Sequence, residues 1–163
     1  EEGLEVMNRK SVSAVQTVYN ILEQTPGNEL IENAEKKDVG ILVRVPDASG
    51  ILTGKVKADT KVDEKDHRSV RKGEWIKESL KKVEQLKPIA GRNGLDITEL
   101  AIKFILSKKS VSSVLPTVIN IEEIEQFATM SDGKYLNTTD MKEINGLYNQ
   151  WPQYELKASV QTA

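Results

Sequence analysis

The chain has 163 residues, 38% of them hydrophobic, which suffices for one globular domain with a real core and is too few for two comfortable ones. Its 23 basic and 25 acidic residues leave a formal charge of -2, so it carries no electrostatic footprint for nucleic acid or an anionic membrane. The absence of cysteine excludes a disulfide framework and thiolate metal sites, and makes a reducing compartment, by default the cytoplasm, the expectation. No apolar run approaches the ~20 residues that span a bilayer, and the opening EEGLEVMNRK is acidic and amphipathic where a signal peptide would be basic and then apolar. A soluble protein is predicted. Its start at Glu1 rather than at a methionine suggests a processed chain or a piece of a longer one.

In chain order, Leu4 to Arg9 reads as the end of a helix, and Val12 to Tyr19 as the first of three short apolar runs rich in β-branched residues. Asn28 to Lys37 places Leu30, Ile31 and Ala34 on one helical face, and Gly40 to Val45 is the second run. Lys55 to Gly73, dense in charge, is one long loop of the kind that often forms a lid or a binding loop. Glu74 to Arg92 carries Trp75, Ile76, Leu80, Val83, Leu86 and Ile89 at helical spacing, with Pro88 expected to disturb its last turn. Asp96 to Leu106 opens on Asp96 and Glu99 at capping-box spacing; Asn120 and Glu123 repeat that spacing before Ile124, Phe127 and Ala128. Between them lies the third run, Val111 to Leu115, and a last helix is predicted from about Thr138 to Gln150, followed by a polar tail over 151–163. The continuous rather than alternating hydrophobicity of the three runs predicts strands buried on both faces of a parallel sheet. The order of elements is βαβ grammar, so the fold class is α/β, as a single domain over 1–163. A closed (β/α)8 barrel takes about 250 residues, and this chain can supply only part of one.

Three segments, taken in order, resemble the aldo-keto reductase family, in particular its branch similar to the potassium-channel β-subunits. They are VQTVYN (Val15 to Asn20), ILVRVPDASGILTGK (Ile41 to Lys55) and VSSVLPTVINIEEIEQF (Val111 to Phe127), which resemble the family's sixth, seventh and eighth barrel strands with their cofactor loops. DHRS at Asp66 to Ser69 and the segment from Leu86 to Leu95 extend the resemblance along nearly the whole chain. It implies the C-terminal half of a (β/α)8 TIM barrel, with about three parallel strands and flanking helices, and a nicotinamide cofactor, NADP(H) or NAD(H).

Position by position, the resemblance implies that the amide of Gln16, which both donates and accepts, binds the nicotinamide carboxamide; the alternative is a polar residue satisfied inside the barrel. Arg44 could stack on the nicotinamide or hold an anion bidentately, against an ion pair at a strand end. Val45, Pro46, Ala48, Ser49, Gly50, Leu52, Gly54 and Lys55 fall in the loop that wraps the pyrophosphate, where small residues let backbone amides approach an anion. Pro116, Thr117, Asn120, Glu123 and Gln126 align with the site of the adenosine and its 2'-phosphate. Here the sequence departs from the pattern. Thr117, Val118 and Ile119 stand where a phosphate-pairing cation is expected, and Phe127 where an asparagine meets adenine.

The family's acid-base set of tyrosine, lysine, aspartate and histidine belongs to the first half of the barrel. Tyr19, Tyr135, Tyr148 and Tyr154 match none of its positions, and the single histidine, His67, reads as a surface residue of the charged loop. No nucleophile with an adjacent base and no metal-ligand spacing is present in the sequence. The function expected is therefore the cofactor-binding half of an NADP(H)-dependent carbonyl or alcohol oxidoreductase, inactive without its N-terminal half, the alternative being a non-catalytic half-barrel kept as an interaction module. A three-stranded sheet cut from a barrel exposes two edges and an apolar inner face, so association is predicted, with the missing half or with a second copy.

Overall fold

The computed structural model describes residues 2–60 and 73–152. The elements run α1 (Glu2–Val6), β1 (Ala14–Val18), α2 (Gly27–Lys37), β2 (Gly40–Arg44), a 3-10 turn (Ile51–Thr53), α3 (Gly73–Arg92), α4 (Ile97–Leu106), β3 (Val111–Leu115), α5 (Ile121–Thr129) and α6 (Thr138–Gln150). The 3-10 turn lies in the segment after the second strand that the resemblance assigns to the pyrophosphate, and it has no periodic signal in the sequence. Asp66 to Ser69, His67, Tyr154 and most of the long loop lie outside the described residues.

The three strands form one parallel sheet in the order β1-β2-β3. Gln16 lies opposite Leu42 and Val18 opposite Arg44, while Leu42 and Arg44 face Ser113 and Leu115, after a register irregularity between Ile41 and Leu42. Because side chains alternate between faces, Val15, Thr17, Ile41, Val43, Val111 and Val114 share one face and Ala14, Gln16, Leu42, Arg44, Ser113 and Leu115 the other. The first face is the core side. Ile41 and Val43 are fully buried there, among Ile31 and Ala34 of α2 and Leu100, Ala101, Phe104 and Ile105 of α4.

The second face is open, which corrects the expectation of strands buried on both sides: Ala14, Gln16, Arg44 and Leu115 are exposed.

Local chemistry explains the helix boundaries. The Asp96 side chain accepts from the Glu99 amide, and the Glu99 carboxylate accepts from the Asp96 amide, both at 2.8 Å, a complete capping box. Helix α3 runs through Pro88 to Arg92 with Leu86, Ile89 and Ala90 buried, so the predicted disturbance of its last turn does not end the helix. Pro88 and Glu84, whose carbonyl loses its partner to the missing N–H, both lie on the exposed side, where water can serve it. A second correction concerns the tail from residue 151. Trp151 is buried: its indole N–H donates to Gln85 Oε1 at 3.0 Å, and Lys82 sits 5.4 Å over its ring. The indole body is apolar and its one donor is satisfied, which is why it packs rather than trails.

Candidate functional site

The open face and the loops at the C-terminal ends of the strands meet at one end of the sheet. The Gln16 amide and the Arg44 guanidinium project from neighbouring strands, with Cα atoms roughly 8 Å apart from strand geometry. Among the described residues neither side chain has a hydrogen-bond or ion-pair partner. Their functional groups are thus available on a surface flanked by Leu42 and Leu115.

The segment after β2 holds an unusual backbone. Val45, Ala48 and Ser49 have φ of 56°, 51° and 58°, in the left-handed region that β-branched residues avoid, and Gly50 and Gly54 follow at 89° and 70°. The surroundings enforce this path. Asn20, fully buried, donates from Nδ2 to the Val45 carbonyl at 2.9 Å, and Pro46, Ala48, Ile51 and Leu52 are buried beneath the loop. The Leu52 amide donates to the Asp47 carbonyl, the Thr53 hydroxyl to the Gly50 carbonyl, and the Thr98 hydroxyl to the Leu52 carbonyl. A rigid run of small residues results, with Ser49 and Gly50 at its partly exposed surface. Small residues leave backbone amides open to close approach by an anion, and strain held in place by packing marks functional loops.

The third segment arrives beside this loop. Asn120 caps α5 by accepting from the Glu123 amide at 2.8 Å. The Glu123 carboxylate does not complete the box: one oxygen accepts from the Ile119 amide at 3.0 Å and the other meets Lys55 Nζ at 2.8 Å. The Lys55 ammonium first, and the Ile119 amide second, hold the Glu123 carboxyl below its ordinary range. This ion pair ties the end of the β2 loop to the start of α5. Helix α5 has no buried residue, and Ile119 and Ile121 are 81% and 69% exposed.

Of the residues singled out in the sequence, Gln16 and Arg44 share the open face, and Ser49, Gly50, Gly54 and Lys55 line the loop beside it. Lys55, Asn120 and Glu123 meet at the β2 loop and the α5 start. Pro116 is half-buried at the exit of β3, Thr117 is exposed beside it, and Gln126 is exposed one turn along α5. The side chains of Pro46, Ala48 and Leu52 point into the core and Val45 is half-buried, so these four can contribute backbone and shape but no polar group.

Two features escaped the sequence. Asn20 sits inside the VQTVYN motif, yet its grip on Val45 comes from 25 residues away in the chain; the Lys55–Glu123 pair spans 68. No spacing signal reaches that far.

Two of the described tyrosines, Tyr19 and Tyr148, are buried and hydrogen-bonded. Tyr19 is fully buried, stacks on Phe104 with ring centroids 5.6 Å apart, and donates to Asn28 Oδ1 at 2.7 Å. Burial raises the pKa of its hydroxyl far beyond the physiological range. The buried Tyr148 hydroxyl accepts from the Thr25 amide, and Tyr135 is exposed between α5 and α6. Among the described residues no group of three or more metal-ligating side chains occurs, and no helix is long and apolar enough to cross a membrane.

Comparison with known proteins matches residues 3–149 to the model of the aldo/keto reductase family. A probable voltage-gated potassium channel subunit beta of Oryza sativa subsp. japonica is 34% identical over 82 residues, 47% of this chain and 25% of that protein. The L-glyceraldehyde 3-phosphate reductase of Escherichia coli O157:H7 is 24% identical over 148 residues, 83% of this chain and 43% of that one. Among solved structures, the glycerol dehydrogenase of Gluconobacter oxydans superposes with a TM-score of 0.72 at 20% identity, over 82% of this chain and 41% of its own. The chain thus spans less than half the length of these relatives.

Proposed function

The chain belongs to the aldo/keto reductase family, its three parallel strands and flanking helices forming part of a (β/α)8 barrel, and we propose that it is the dinucleotide-binding part of a nicotinamide-dependent carbonyl reductase. One observation carries this reading: the Lys55–Glu123 ion pair at 2.8 Å brings the strained β2 loop against the start of α5, at the same end of the sheet as Gln16 and Arg44. A ligand with a carboxamide at one end and a diphosphate in its middle would meet a matching group along that line. The Gln16 amide would fix the carboxamide by donating and accepting, and so choose which face of the ring is presented. The left-handed backbone around Ser49 and Gly50 would receive the diphosphate, and Arg44 would add a delocalised charge at the strand end.

When bound, the dinucleotide supplies the hydride. This chain's residues bind, orient and exclude water on one side of it. The described tyrosines are committed to packing or lie away from the open face, so the proton donor comes from a complementary portion of the barrel.

That complement is the proposed partner. A (β/α)8 barrel closes with eight strands, and three are present among the described residues, so a complement of five would close it; two copies of the described sheet would bring only six. The free edge of β3, the exposed face with Leu115, and Ile121 and Ile124 of the uncovered α5 are the surfaces that such a complement would bury.

The test is a calorimetric titration of the chain with reduced nicotinamide dinucleotides. Saturable binding is expected, weakened about tenfold in Gln16→Leu, the loss of roughly one net hydrogen bond. No carbonyl-dependent oxidation of the dinucleotide is expected until a five-stranded N-terminal portion from a family member is added. Absence of saturable binding by the folded chain would refute the reading and leave a half-barrel that serves as an interaction module.

A further inference from the structure

We infer, resting on the dinucleotide-binding reading above, that the adenosine end of the site favours a ribose with a free 2'-hydroxyl, so that NAD(H) is the preferred form over NADP(H). The argument begins with charge. From Ser110 to Gly133, the stretch that contains all of β3 and α5, the sequence holds no lysine or arginine, while Glu122, Glu123 and Glu125 crowd the first turns of α5. A 2'-phosphate brings a charge between one and two negative units at neutral pH and calls for a guanidinium or ammonium that can fork onto its oxygens. The position where such a cation could stand carries Ile119, an apolar side chain that is 81% exposed.

Among the described residues one cation reaches this junction, and it is already engaged. Lys55 Nζ lies 2.8 Å from Glu123 Oε1, and in leaving that partner for a phosphate it would strip the carboxylate of its counter-charge beside a second anion. The start of α5 is likewise partly satisfied from within: Asn120 caps the Glu123 amide and Glu123 Oε2 takes the Ile119 amide. The electrostatics of this corner are therefore those of an acceptor, with its helix-end donors partly quenched.

An acceptor suits a ribose diol. Each carboxylate oxygen has two lone-pair directions, so Glu123 can keep Lys55 and the Ile119 amide and still accept from a hydroxyl. Hydrogen-bonding of a ribose 2'-hydroxyl by an acidic side chain, and of a 2'-phosphate by arginine, is the general chemical distinction between the two dinucleotides. The exposed Ile119 and Ile121 then offer an apolar surface to the flat adenine rather than a clamp to a phosphate.

The experiment uses the full chain and four probes: NADH, NADPH, and the adenosine fragments 5'-ADP and 2',5'-ADP, whose binding does not need the nicotinamide end. Titrations are read by calorimetry at low and at moderate ionic strength. NADH is expected to bind at least tenfold more tightly than NADPH, and 5'-ADP more tightly than 2',5'-ADP, with both ratios shrinking as salt screens the repulsion. Ile119→Arg, at an exposed position where folding is not at stake, is expected to reverse the ratio in favour of NADPH. Glu123→Gln is expected to narrow it several-fold, because Lys55 is released. Equal or tighter binding of NADPH by the wild-type chain overturns the inference and leaves the dinucleotide-binding reading standing. Failure of all four probes to bind a chain shown by circular dichroism to be folded overturns that reading, and the inference with it.

Discussion

Asn20 and Val45 show how a single side chain holds the site loop in place. Asn20 donates to both the Val45 carbonyl and the Glu23 carboxylate at 2.9 Å, and its own carbonyl oxygen accepts from the Leu22 amide at 3.0 Å, all in a fully buried position. Removing it strands several polar groups at once. Asn20→Ala is expected to cost about 2–3 kcal/mol in urea unfolding and to weaken dinucleotide binding, since the loop would lose its anchor. Val45 marks the opposite side of the same balance. A β-branched residue at φ 56° is strained, and its side chain is not part of the hydrophobic core. Val45→Gly is therefore expected to raise stability by up to about 1 kcal/mol, a left-handed residue being among the few places where glycine improves on valine. A clear loss of stability in that variant would show that the Val45 side chain packs more than its half-burial indicates.

At the level of elements, the join between α3 and α6 is polar where most of the core is not. Asp140, 2% exposed, accepts from Arg92 Nε at 2.8 Å, from Asn93 Nδ2 at 2.8 Å and from Asn137 Nδ2 at 2.7 Å, while Arg92 also pairs with Glu143. Burial pushes the Asp140 carboxyl up, but the hydrogen bonds from Asn93 and Arg92, the charge of Arg92 and the hydrogen bond from Asn137 together outweigh it and hold the carboxyl below its ordinary value. A carboxyl whose folded pKa is depressed adds stability that is fully present above its unfolded value near 3.9 and is lost as pH falls through the folded value. Thermal unfolding followed from pH 7 down to about pH 2 should show that loss below about pH 4 in the wild type. Asp140→Asn should melt lower at pH 7 and show a flatter acid limb; an unchanged limb would assign the acid sensitivity to other carboxylates. Helix α5 contrasts with this join. It is amphipathic, capped and regular, yet buries none of its residues, so its cap at Asn120 and the Lys55–Glu123 link hold it against the β2 loop.

For the molecule as a whole, the apolar surface is distributed unevenly. Five of the six large hydrophobic residues exposed among the described residues, Leu115, Val118, Ile119, Ile121 and Ile124, fall within one short stretch of the chain that includes the end of edge strand β3. Exposed apolar side chains close to a strand edge that is unpaired among the described residues favour association. In light scattering the isolated chain is expected to self-associate and to bind a hydrophobic dye. Ile121→Glu combined with Ile124→Glu should reduce both effects by at least tenfold without changing the circular dichroism, because α5 has no buried residue to lose. A monodisperse wild-type monomer with low dye binding would mean that this face needs no cover.

The sequence by itself determined the order and type of the elements, because hydrophobic period and capping residues are local: the capping box at Asp96 and Glu99, the asparagine cap at 120 and the span of α6 were all readable from neighbours in the chain. It also carried the family, through three ordered segments. What only the tertiary structure decided are matters of long-range contact: which face of the sheet is covered, that Trp151 belongs to the core and Pro88 to an unbroken helix, and that Lys55 is held by Glu123. A continuous apolar run cannot tell a strand covered on one face from one enclosed on both, and no local rule links a lysine to a carboxylate 68 residues further along the chain.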